Sequence, residues 1–153
     1  MSSSLSPEDK KYWVVVADES AATIYIRDTR HAPMREMLSL SNDVARMKTA
    51  EIISDRGGRA FDSNGEGRHT MANEKAGPQR ESAVRFAKDI AGRIKTGRHR
   101  GVCRDYALVA APRFLGDLRL ALNTAGVDDP YLEISKDLVG HDKGQVERLL
   151  DAR

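Results

Sequence analysis

Two stretches constrain the fold of this chain more than any other feature: Trp13-Val14-Val15-Val16-Ala17 and residues 106–111 (YALVAA). A strand with one face in water alternates apolar and polar residues, whereas these runs offer no polar face and are too short for an ordinary helix. Both are expected inside a sheet, as parallel neighbours with helices packed above and below. That places the chain in the α/β class.

The remaining pattern fills in around these strands. Residues 22–27 (ATIYIR) follow the polar Asp18-Glu19-Ser20 and read as the second arm of a hairpin. Residues 34–40 (MREMLSL) alternate as a third strand, with Met34, Glu36, Leu38 and Leu40 on one face. Over 41–80 the periodicity fades and Gly, Asn, Asp and Arg accumulate, which predicts a long loop, either functional or disordered. A helix is predicted over 81–95, with Ala83, Phe86, Ala87, Ile90, Ala91 and Ile94 inward. Pro112 opens a further helix with Leu115, Leu118 and Leu122 inward, and Gly126 stops it. A short strand, Leu132-Glu133-Ile134, precedes a last helix over 144–152 carrying Val146, Leu149 and Leu150. The expected architecture is a mixed five-stranded sheet with helices on its faces. It forms one domain over 12–153, after a disordered Ser-rich tail at 1–11.

Cys103 is the only cysteine among 153 residues, so no internal disulfide and no Cys-rich zinc site is possible, which fits a reducing compartment. The first residues lack the apolar core of a secretory signal or membrane span, so a cytoplasmic protein with no membrane partner is expected. His31, His69, His99 and His141 show no metal-site spacing, and no nucleotide or dinucleotide fingerprint appears, so neither metal nor cofactor is expected. Asp18, Asp55, Asp62 and Asp105 are the carboxylates from which a two-metal nuclease centre would be assembled, although their spacing is not diagnostic.

Charge carries more information. The net charge is only +2, yet ten Lys or Arg lie between Gly67 and Arg104 against Glu74, Glu81 and Asp89. Arg85, Lys88 and Arg93 fall on the outer side of the 81–95 helix, continued by Arg98, Arg100 and Arg104, a stripe suited to a phosphate backbone. The Gly-Arg segment adds Arg59, Arg68 and His69 beside Gly57, Gly58 and Gly67, whose bare backbone suits phosphate. Arg113, at a helix start after a buried strand, is a further anion candidate.

Ala76-Gly77-Pro78-Gln79 followed by Ser82-Ala83-Val84-Arg85-Phe86-Ala87 resembles the middle domain of archaeal and eukaryotic class-1 peptide release factors. That domain, often compared with ribonuclease H, carries Gly-Gly-Gln and then Ser-Ala-x-Arg-Phe at a loop-to-helix junction. Here Pro78 replaces the second glycine and Arg80-Glu81 is inserted, so Gln79, the one weak catalytic candidate, is not expected to support peptidyl-tRNA hydrolysis. A longer resemblance is to the bacterial host attachment proteins, a bacterial branch of the same superfamily. It rests on Asp18-x-x-Ala21, Asp55-Arg56-x-Gly58-Arg59-x-Phe61-Asp62-Ser63, Gly67-Arg68-His69, Phe86-Ala87, Ala111-Pro112-Arg113-Phe114-Leu115-Gly116-x-Leu118-Arg119 and Lys136-Asp137-Leu138. These resemblances imply an RNA-binding domain acting on the ribosome or tRNA, in rescue, quality control or dormancy and without stop-codon reading. The alternative is an attachment-related protein working through protein partners, and the oligomeric state is open.

Overall fold

The computed structural model describes residues 10–44 and 67–153, with side chains from Gly77 onward in the second segment. Strands β1 (Lys11–Ala17), β2 (Ala21–Arg27) and β3 (Arg35–Ser41) come first, then the long helix α1 (Gly67–His99). Strand β4 (Cys103–Ala110), helix α2 (Pro112–Ala125), strand β5 (Leu132–Ser135) and helix α3 (Lys143–Asp151) follow. The strand order is β3-β2-β1-β4-β5. β1 runs parallel to β4 and β4 to β5, while β2 is antiparallel to both β1 and β3. The two uninterrupted apolar runs are interior parallel neighbours, as their lack of a polar face requires.

Successive side chains of a strand point to opposite faces, so β1 feeds two cores. Trp13, Val15 and Ala17 join Tyr106, Leu108 and Ala110 beneath α1 and α2, with Phe86, Ile90, Ile94, Leu115 and Leu118. Val14 and Val16 join Ala107, Val109 and Ile134 on the other face, beneath Val146 and Leu150 of α3. Every inward residue expected on α1 is buried. Ile90 has no exposed surface, so Ile90→Ala is expected to lower stability by about 2–5 kcal/mol, read as a shifted urea midpoint.

Helix α2 begins as its sequence dictates: Pro112 sits in the first turn, where its missing N–H costs nothing, and Gly126 takes a left-handed φ of 79° to end it. Helix α3 is capped by Asp142, whose side chain accepts from Gly144 N. Along α3, Lys143, Glu147 and Asp151 recur at i, i+4, i+8, and all three hold the β2–β3 connection. Lys143 Nζ donates to Met34 O at 2.8 Å, and Met34 N donates to Glu147 at 2.6 Å. Asp151 accepts from Arg27 at 3.3 Å and lies 3.4 Å from His31 Nδ1.

Three expectations change, and one alternative weighed from the sequence falls. The segment 41–80 is not loop throughout: β3 reaches Ser41, and α1 begins at Gly67 rather than at residue 81, with Gly77, Pro78 and Gln79 inside the helix. Lys11 belongs to β1, where its N–H donates to Val102 O, so the expected tail loses its last residue to the sheet. Met34 packs with the α3 core, whereas Leu38 and Leu40 pack on the opposite one. The cause is a register shift between Ile24 and Tyr25: Leu38 pairs with Ile24 but Glu36 with Tyr25, leaving Met37 as an extra residue that inverts the alternation. Finally, Asp18 follows the carboxyl end of β1 while Asp105 pairs beside Tyr12 at its start. The length of a strand, about 20 Å at ~3.3 Å per residue, separates them, so they do not form one metal centre. Asp55 and Asp62 lie outside the described residues.

Candidate functional site

Helix α1 crosses the sheet from the carboxyl edge of β1 to its amino edge. At the carboxyl edge, buried Asn42 donates to Glu19 O, Ser82 O and Ser82 Oγ, fixing α1 to the β1–β2 turn. At the amino edge, Gly97 lies against the Trp13 ring and Cys103. Gln79 and Gly97 therefore stand about 27 Å apart along the helix, at 1.5 Å per residue. The outer face from Gln79 to the end of the helix and the turn after it carries Arg85, Lys88, Arg93, Lys95, His99 and Arg100, all exposed, against Glu81 and Asp89. Asp89 pairs with Arg93 at 3.6 Å; Arg85, Lys88, Lys95 and Arg100 make no ion pair among the described residues.

This cationic face continues onto the amino edge of the sheet, where parallel pairing sets the start of β1 beside that of β4. Exposed Arg104 follows buried Cys103, and its carbonyl accepts from Arg98 Nη1 at 2.8 Å. The Lys10 side chain lies near Gly101. Further along this edge, Tyr12 and Tyr131 meet edge to face with ring centroids 5.8 Å apart, and the Arg30 guanidinium stacks over Tyr131 at 4.3 Å. Burial raises the Tyr131 hydroxyl above its ordinary range, so it stays protonated at neutral pH. The same effect pushes the Cys103 thiol up to about 12, which removes it as a nucleophile.

At the carboxyl edge lies a polar groove of about 450 Å³, lined by Asp18, Glu19, Gln79, Arg113, Phe114 and Asp137 among others. It opens where the chain leaves β1 toward β2 and β4 toward α2 and β5, the fork at which open α/β sheets commonly take ligands. Asp18 is fixed there: its Oδ1 accepts from Ser20 N, Ser20 Oγ and Ala21 N at 2.8–2.9 Å. Three carboxylates face one guanidinium, so the groove suits hydroxyl or amine donors more than a bare phosphate strand. Behind it Arg80 pairs with Asp117, tying α1 to α2, so the apparent insertion Arg80-Glu81 has a structural task.

The site residues expected from sequence thus separate. Arg85, Lys88 and Arg93 share the exposed face of α1. Arg113 and Gln79 lie in the acidic groove, apart from that face, and Gly77 is exposed with open space around it. Gly67, Arg68 and His69 belong to the first turn of α1, while Gly57, Gly58 and Arg59 lie outside the described residues. The amino-edge group of Lys10, Arg30, Tyr12 and Tyr131 was not foreseen. Its members are scattered along the chain, and only strand register assembles them. Three resemblance segments, around Asp18, Arg113 and Asp137, do converge in one groove.

A five-stranded sheet in which only the second strand runs antiparallel, with helices on both faces, is a ribonuclease-H-like α/β domain. The chain belongs to the family described as protein required for attachment to host cells, whose model matches residues 13–150. Comparison with curated proteins gives no match. Among solved structures, the chain is similar to one described as "PilM-PilN type IV pilus biogenesis complex", with 13% identity and a TM-score of 0.41. The likeness covers 94% of this chain and 43% of that one, so the chain spans less than half the length of its structural neighbour. No helix among the described residues is long and apolar enough to cross a membrane.

Proposed function

We propose that this protein binds RNA through the outer face of α1 and the amino edge of the sheet, in the setting of the ribosome or tRNA. One observation carries the reading: Arg85, Lys88 and Lys95 on one helix face, and Arg100 just past the helix end, have no ion-pair partner among the described residues. Side chains left uncompensated on one face are placed to neutralise phosphates and release their counterions. The resemblance of the Ser82-Ala83-Val84-Arg85-Phe86 stretch to release-factor middle domains supports the same partner. Gln79 lies within a helix beside Pro78, and no hydrolytic role is assigned to it.

The test is the salt dependence of RNA binding. Replacing Arg85, Lys88 and Lys95 together by Gln keeps the helix and removes the charge. Affinity for RNA is expected to fall, and the slope of log K against log salt to flatten by up to roughly 0.7 per lost contact on a single strand or ~0.9 on a duplex. Arg113→Gln, in the acidic groove, is expected to leave the slope unchanged. An unaltered slope in the triple variant sinks the proposal.

The family description favours a second reading, an attachment-related protein acting through protein partners. Attachment is a property of a cell and names no reaction, so RNA binding that alters the production of surface components is compatible with it. Fractionation decides between direct and indirect action. Recovery of this chain in the cell envelope, with none on ribosomal particles at low salt, favours the protein-partner reading.

A further inference from the structure

The amino edge holds a feature that a purely electrostatic surface does not need. Arg30 is half-exposed, and its guanidinium carbon sits over the Tyr131 ring, 4.3 Å from its centroid, and 5.7 Å from that of Tyr12. Its only ion-pair contact among the described residues is with Asp105, at 3.7 Å. Tyr131 is held in turn by its edge-to-face contact with Tyr12, and its N–H donates to Tyr106 O at 2.9 Å. Behind Arg30 lies a cavity of about 180 Å³ lined by Arg30, His31, Tyr131, Leu132, Leu150 and Arg153. Ligand pockets usually run from about 300 Å³ upward, so this one is too small for a whole nucleotide and admits a single planar group. Apolar Leu132 and Leu150, an aromatic ring and cations at the rim suit a flat ring carried on a phosphate chain.

We infer that Arg30, held on Tyr131, is a stacking station for one unpaired nucleobase, which makes single-stranded RNA the preferred ligand. The inference rests on the RNA-binding reading and adds the class of RNA. An arginine plane and an aromatic ring accept any base through its π-face, whereas bases inside a duplex are already stacked on one another. Flanking phosphates then meet Arg153 on one side and the Lys10, Arg100 and Arg104 surface on the other. Lysine carries the same charge as arginine but has no plane to stack, so Arg30→Lys separates stacking from charge.

The experiment compares a short single-stranded oligoribonucleotide containing 2-aminopurine with a blunt RNA duplex, both against the full chain. The parent protein is expected to bind both with a salt-dependent slope and to quench 2-aminopurine fluorescence in the single strand. Arg30→Lys is expected to lose the quench and about tenfold in single-strand affinity, while keeping the slope and the duplex affinity. Arg30→Lys with unchanged quench and affinity, or with equal losses on both RNAs, overturns the stacking station and leaves the RNA-binding reading intact. No binding of either RNA by the parent overturns both. Because Arg30 is exposed, the lysine variant is expected to fold, and an unchanged urea midpoint confirms it.

Discussion

Gly97→Ala is expected to destabilise the domain by about 2 kcal/mol, although alanine favours a helix interior by about 1 kcal/mol. A Cβ at this position would meet Trp13 Cη2 at 2.5 Å, Trp13 Cζ2 at 2.7 Å and Cys103 Cβ at 3.2 Å. Trp13 is buried in the core beneath α1 and has no free direction in which to swing, so the helix must lift off the strands. Overpacking of a closed core costs typically ~1–3 kcal/mol and outweighs the gain in propensity. Trp13 is the single tryptophan, so its fluorescence reports both the local disturbance and the urea midpoint. A further variant, Trp13→Phe in the Gly97→Ala background, should recover part of the loss relative to the sum of the two single changes, with midpoints read by circular dichroism because this variant has no tryptophan. A midpoint raised by Gly97→Ala would show that α1 and β1 do not approach this closely.

Asp151→Ala is expected to cost about 3 kcal/mol, and more than Arg27→Met at the other end of the same ion pair. Arg27 is 1% exposed; its Nε donates to Ala32 O at 2.7 Å and its Nη2 to Asp151 at 3.3 Å. Its Nη1 is buried with no hydrogen-bond partner among the described residues. Removing Asp151 leaves a guanidinium inside the protein with no carboxylate partner among the described residues, the costlier way to break a buried pair. Replacing Arg27 by Met removes the buried charge and its unpaired nitrogen while retaining much of the volume, and Asp151, 41% exposed, turns to water. Thermal or urea unfolding of the two variants checks the order. A larger loss for Arg27→Met would mean that packing and the Ala32 bond outweigh the charge.

Strand identity was legible wherever burial on both faces left its mark in composition, as in Val14 to Val16 and Ala107 to Val109. The inward stripe of α1 was equally plain, because Ala83, Ala87, Ile90 and Ile94 recur at helical spacing. The start of α1 was not: Gly77 and Pro78 are helix breakers by propensity, and residues before them carry no apolar stripe to oppose that prior. The face of Met34 was misread because one bulged residue, Met37, inverts an alternation that sequence shows as unbroken. For the site, the exposed cations of α1 followed from periodicity alone. Arg113 did not belong with them, since the edge of the sheet on which a helix starts is a matter of topology. Two acids of the C-terminal segment have structural tasks: Asp142 caps α3 and Glu147 holds Met34. Variants at either position therefore disturb the fold before they report on binding.

The two ends of α1 have a kinetic consequence. The outer face of α1 and the amino edge carry cations beyond those paired with Asp28, Asp105 and Asp128, while three carboxylates line the groove at the other end, so positive charge is in excess toward one end of the helix and negative charge toward the other. A net charge of +2 attracts a polyanion only weakly, but a field that differs in sign from end to end exerts a torque on the approaching molecule. On the RNA-binding reading proposed above, the domain turns before it touches, presenting the amino edge and holding the groove away from the strand. Association is then fast at low ionic strength and loses its orientational bias as the screening length falls to about 8 Å in physiological salt. On the same reading the groove stays open after docking.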